Sequence, residues 1–183
     1  MVRMPAIDPV VTWLAAVALA GIFGWSAALK LTDIEMFAGA LANYRLVPRA
    51  LETPFAWVVP LCESAAAAGL LLPRTRPIAA VGLVLLLCLF SGAIAINLIR
   101  GRTNIDCGCF GPALRQDLSG WLLVRNAGLM VLAAILVAPM AARPIEWIDF
   151  VTIGLGAATL VTLYAGANQA NGNAPRTGEL EAL

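Results

Sequence analysis

Cys107 and Cys109, in the run Ile105-Asp106-Cys107-Gly108-Cys109-Phe110-Gly111, are the residues of this chain best suited to chemistry. A pair with one residue between can close into a disulfide only where the backbone turns sharply, bringing the Cα atoms within about 4.4 to 6.8 Å. Gly108 permits such a turn. A strained ring of this kind is more oxidising than a relaxed structural bridge and suits exchange with another thiol. A structural disulfide and half of a metal site are the alternatives. A metal would need two further soft ligands, and Cys62 and Cys88 lie in separate apolar runs of a chain without histidine, so no metal centre is expected.

Several polar groups stand where they could tune these thiols. Arg100 and Arg102 precede the pair, Arg115 follows it, and Arg125 comes shortly afterwards; cationic neighbours raise the thiolate fraction. Asp117 or Ser119 can cap the next helix and bring its positive end near the pair. The competing reading of each arginine is solvation or binding to lipid headgroups. Glu63, inside an apolar stretch, is costly in lipid and hence a candidate for proton or charge transfer, with Arg125 or Lys30 as its partner. A buried pair that fixes packing is the alternative. Cys62 beside it could relay electrons, although a cysteine in an apolar helix is more often an inert hydrophobe, as Cys88 is expected to be.

The elements that must position these groups are membrane helices. Of 183 residues, 61% are hydrophobic and 13% charged, against about 25% charged in ordinary soluble domains. A net charge of +1 provides no basic surplus for nucleic acid,. The absence of histidine excludes Ser-His and Cys-His catalysis,. Five stretches have about the 20 apolar residues a span requires: residues 10–29, 54–72, 77–99, 120–138 and 146–166. The second is the weakest, because Pro60 and Glu63 interrupt it. The first exceeds the apolar length of a cleaved signal and is read as a span.

Ile34, Phe37, Ala38 and Leu41 repeat at helical spacing within residues 33–45, predicting a short amphipathic helix on the membrane surface,. Thr32 or Asp33 can cap it and Pro48 bars its continuation. It is either a connector or a lid over the Cys loop, residues 100–119. Residues 1–166 then form a single transmembrane domain, and the Asn-, Gly- and Ala-rich segment 167–183 is expected to be disordered,.

Five spans place the first loop, the Cys loop and the C-terminal tail on one face. Lys30, Arg45, Arg49, Arg100, Arg102, Arg115 and Arg176 lie on that face, and Arg3, Arg74, Arg76 and Arg143 on the other. The positive-inside count alone would put the Cys loop in the cytoplasm. Arg74 and Arg76 crowd a tight turn of the kind retained inside, however, and a stable Cys pair belongs in an oxidising compartment. The Cys loop is therefore expected outside.

The run Gly21-Ile22-Phe23-Gly24-Trp25-Ser26-Ala27-Ala28-Leu29-Lys30-Leu31, followed by Phe37, Leu41, Tyr44, Leu46, Pro48, Pro60, Glu63 and Gly69, resembles the DoxX-like membrane superfamily. Ile96-Asn97-Leu98-Ile99-Arg100-Gly101-Arg102 with the Cys run narrows the resemblance to the MauE family of methylamine utilisation proteins, over residues 10–139. The resemblance implies an all-α bacterial inner-membrane bundle, with a four-helix core like that of vitamin K epoxide reductase plus a fifth transmembrane helix. It also implies a maturation role: with the thioredoxin-like partner MauD, such proteins are needed for the periplasmic, disulfide-rich small subunit of methylamine dehydrogenase to mature. Fold-level likeness to an enzyme that passes electrons between thiols and quinone makes quinone a candidate cofactor, although its Cys-x-x-Cys spacing differs from the Cys-Gly-Cys found here. Competing readings are a non-catalytic scaffold or transport factor for the subunit, and a DoxX-type subunit of a quinone-linked oxidoreductase.

Overall fold

The computed structural model describes residues 6–108 and 116–181, with side chains through residue 172; Cys109 and Arg115 lie outside the described residues. Six helices follow one another among the described residues: α1 Pro9–Thr32, α2 Ile34–Tyr44, α3 Arg49–Leu71, α4 Arg76–Ile99, α5 Gly120–Ile135 and α6 Trp147–Glu181. The chain is an all-helical, multi-pass membrane protein, as composition predicts. Among the described residues four helices, α1, α3, α4 and the apolar part of α6, are long and apolar enough to cross a membrane.

Local chemistry sets the boundaries. Asp8 accepts from the Val10 N–H and Pro9 occupies the first position of α1, where its missing donor costs nothing. Asp33, rather than Thr32, caps α2 by accepting from Met36 N at 3.0 Å. Arg45 closes α2 in the left-handed region with φ 50°, and Pro48 becomes the cap residue of α3. Pro54 and Pro60 sit inside α3 without ending it. Neighbouring helices and side chains make such interruptions tolerable in a membrane.

Two elements differ from expectation. The regular part of α5 ends at Ile135, not Ala138, and its 16 residues span about 24 Å. A final turn continues it, with Leu136, Val137 and Ala138 donating to the carbonyls of Ala133, Ala134 and Ile135 before Pro139. Helix α5 starts beside the Cys loop, and the segment after it is tied to the start of the chain at the other end of the bundle, Ile7 N donating to Pro139 O and Ala141 N to Ile7 O. Helix α6, for its part, continues past residue 166 through the segment expected to be a disordered tail. Asn168 is buried there, its carbonyl accepting from Gln116 and its Oδ1 from Arg125.

Helix α1 is central and packs against α2, α3, α5 and α6. Small side chains along it, Ala15, Ala16 and Ala20, meet Ala66, Ala67 and Leu70 of α3, with Leu83, Leu87, Leu129 and Ala133 filling the remainder of the core. Between membrane helices, close backbone approach through small residues replaces the hydrophobic driving force. Ile78, Leu89, Trp147 and Phe150 project outward, as lipid-facing residues do.

The end of the bundle away from the Cys loop is tied by charge. Arg143 contacts Asp8 at 2.9 Å and Asp149 at 2.8 Å, joining the start of α1 to the α5–α6 connection. The Arg143 guanidinium, helped by the Val10 N–H, holds the Asp8 carboxyl below the usual carboxylate range. Both carboxylates raise Arg143 above its ordinary value. Arg76 is buried at the same end, donating to Leu70 O and lying 4.1 Å from the Trp13 ring.

Candidate functional site

Residues 103–107 and 116–118 form an antiparallel clasp at the end of α4. Cys107 N donates to Gln116 O at 2.9 Å, and Leu118 N to both Thr103 O and Ile105 O, with a bridge between Asp106 and Asp117. Cys107 is buried at 8% exposure in an apolar cluster with Tyr44, Ile94, Ile105, Leu118 and Leu122. Ser119 stands at the start of α5 but makes no side-chain capping bond, and Asp117 occupies the bridge. The helix end is thus arranged differently from the cap expected of either residue.

Helix α2 covers this clasp. Tyr44 donates its hydroxyl to Cys107 O at 3.4 Å. Arg102 donates to Asn43 O and Tyr44 O and to Asn97 Oδ1, so this cation is committed to the C-terminal carbonyls of α2, where the helix dipole favours it. Gly108 has φ +68°, and a Cβ there would come within 2.9 Å of Ala40 Cβ and 3.4 Å of Phe37. Glycine is needed twice over, for conformation and for contact. These contacts lay α2 over the loop, the placement that the lid reading requires of it.

Gly108→Ala is expected to cost about 1 to 3 kcal/mol from backbone strain alone, before α2 shifts to relieve the clash. Hydrogen exchange at the Cys107 and Leu118 amides should quicken relative to the α1 core. Unchanged protection across residues 103–118 would show that α2 does not press on the loop.

Beneath the lid, Lys30 of α1 meets Glu63 of α3 at 2.5 Å, with the two side chains 4% and 1% exposed. Ser26 bridges them, receiving a hydrogen bond from Lys30 and donating one to Glu63. Phe37 and Phe90 face the ammonium from 5.2 and 5.3 Å, a favourable quadrupole contact. Of the two partners considered for Glu63, the structure supplies Lys30.

Arg125 is used elsewhere. It donates to Gln116 Oε1, Asn168 Oδ1 and Asn126 Oδ1 and faces the Tyr164 ring at 5.9 Å. Through Gln116 it braces the segment that receives the Cys107 N–H. Cys62 lies on the exposed face of α3, turned away from its neighbour Glu63, and Cys88 contacts Met130. Neither belongs to the cluster around Cys107. Among the described residues no group of three or more acidic, cysteine or histidine side chains could hold a metal ion.

Sequence reasoning gave no role to Ser26, Phe90, Ser91, Gln116, Asn126 or Asn168. Asn97 and Asn126, both almost wholly buried in apolar helices, carried a usable signal. A polar amide inside a span is retained where it binds something, and Asn126 donates to Ser91 across α4 and α5,.

A family model described as "Methylamine utilisation protein MauE" matches residues 8–139. The methylamine utilization protein MauE of Paracoccus versutus is 40% identical over 167 residues, covering 90% of this chain and 89% of the relative. That of Paracoccus denitrificans is 39% identical over 167 residues, covering 91% and 90%, and that of Methylorubrum extorquens 43% over 172, covering 87% and 92%. No solved structure matches.

Proposed function

Since the chain belongs to the MauE family and so to methylamine utilisation, we propose that it is the membrane thiol-disulfide factor of that system. Cys107 and Cys109 exchange a disulfide with a thioredoxin-like partner, MauD, which then acts on the small subunit of methylamine dehydrogenase. Exchange is balanced within this scheme: the loop pair passes from disulfide to dithiol as two partner thiols become a disulfide, or the reverse. The observation that carries the reading is the setting of Cys107. It sits at one end of the bundle, beneath α2 and outside the helices, a setting that suits exchange with a protein outside the membrane. The buried Lys30–Glu63 pair lies under the same lid, and Arg125 holds the loop in place through Gln116.

The reading puts the chain in the bacterial inner membrane with the Cys loop in the periplasm. A membrane-impermeant maleimide applied to whole cells should label the loop after gentle reduction and leave it unlabelled beforehand. Cys62 and Cys88 lie within spans, and their replacement by Ala removes any background. Labelling that requires opening of the inner membrane would place the loop in the cytoplasm and overturn periplasmic exchange.

A further inference from the structure

Lys30 borders two cavities at the Cys end of the bundle. The larger, about 640 Å³, opens between α2 and the loop beside Asn43, Asn104, Asp106 and Asp117. The smaller, about 90 Å³, is walled by Lys30, Phe37, Tyr44, Phe90, Ile94 and Cys107. Glu63 is not among the residues bordering either cavity. The ion pair therefore presents its positive end to the space in front of Cys107. That space is apolar, so a charge acts across it with little screening.

We infer that Lys30 is a positioning residue for the redox pair, whose ammonium, aimed by Glu63 and two phenyl rings, stabilises the Cys107 thiolate across the inner cavity. The inference rests on the exchange reading above. In this scheme Cys107, 8% exposed beneath α2, is the leaving sulfur and Cys109 the one attacked. A partner thiolate bonds to Cys109, the Cys107–Cys109 bond breaks, and its electron pair remains on Cys107. A second partner thiolate then displaces Cys109, leaving the partner oxidised to a disulfide and the loop reduced. The loop thiols take up the two protons that the partner thiols gave up. A leaving thiolate that is better stabilised departs faster.

Among the described residues, the charged and titratable groups nearest Cys107 make contacts of their own. From α2, Tyr44 donates to the Cys107 carbonyl. In the loop, Asp106 accepts from Gly108 N and Arg102 holds the end of α2. From α5, Arg125 reaches Gln116, while Ile94 and Leu122 are what α4 and α5 pack against Cys107. Among the described residues, Lys30 is the cation that shares a cavity with the cysteine.

The test isolates Cys107 in the full-length chain by replacing Cys62 and Cys88 with Ala and Cys109 with Ser, then follows N-ethylmaleimide alkylation against pH in native vesicles. Neutralising the pair with Lys30→Gln and Glu63→Gln together leaves no lone charge in the core. That variant should move the alkylation midpoint upward by about one pH unit, the scale on which a cation acts on a nearby thiol. Lys30→Arg should keep the midpoint of the parent. A change confined to the plateau rate at high pH would report access alone and overturn the inference, as would an unmoved midpoint. If the midpoint moves while the Cys107 and Cys109 double replacement still supports maturation, the coupling stands and the exchange reading falls.

Discussion

Replacing Cys107 with Ala, or Cys109 with Ser, should abolish maturation of the methylamine dehydrogenase small subunit while the membrane protein accumulates normally. The choice of substitution follows from burial. Cys107 is not the surface thiol its loop position suggests, since it packs among Ile94, Ile105, Leu118 and Leu122. A serine hydroxyl in that cluster would cost about 1 to 3 kcal/mol if left without a partner. Alanine avoids the polar penalty and leaves a space of a single sulfur, a change the clasp can absorb because its backbone bonds to Gln116 and Thr103 remain. Both thiols are needed because exchange passes through a mixed disulfide that the second sulfur must form or resolve. Subunit yield and the redox state of the thioredoxin-like partner are the measurements. Full maturation in the double replacement would sink the exchange mechanism and favour a scaffold.

Much of this arrangement is legible in the sequence because lipid is an exacting solvent. A hydrocarbon layer demands long apolar runs, so the positions of α1, α3, α4 and α6 follow from composition and length. The amphipathic spacing of Ile34, Phe37, Ala38 and Leu41 finds α2, and parity places it on the face of the Cys loop. Asn43, Tyr44 and Gly108 bear this out by contact. Pairing is less legible. Lys30 and Arg125 both enter from that face, and nothing in their spacing tells which one reaches Glu63. The answer depends on α1 packing directly on α3 while Arg125 points toward α6. The continuation of α6 was hidden for a related reason. Its polar residues give no apolar period, and the partners of Asn168, Gln116 and Arg125, lie more than forty residues away.

The Lys30–Glu63 pair should make the largest single contribution to fold stability that one substitution can expose. Both side chains are nearly inaccessible, so removing one partner strands the other's charge in the bundle. The cost of such a break is about 3 to 5 kcal/mol, a large share of the stability of an ordinary domain. Lys30→Met should therefore lower the thermal midpoint of the detergent-solubilised chain sharply, and so should Glu63→Leu. The double replacement should recover most of the loss, since an apolar pair of similar volume has no desolvation to offset. Ser26 would then keep a local outlet by bonding back to a carbonyl of its own helix, as Thr12 does to Asp8 and Ser64 to Pro60,. This double variant separates fold from function: stable and inserted, it would lack the charge in front of Cys107 and should exchange disulfides slowly. Single variants as stable as the parent would show that the pair is solvated in the membrane-embedded protein, contrary to its burial between α1 and α3.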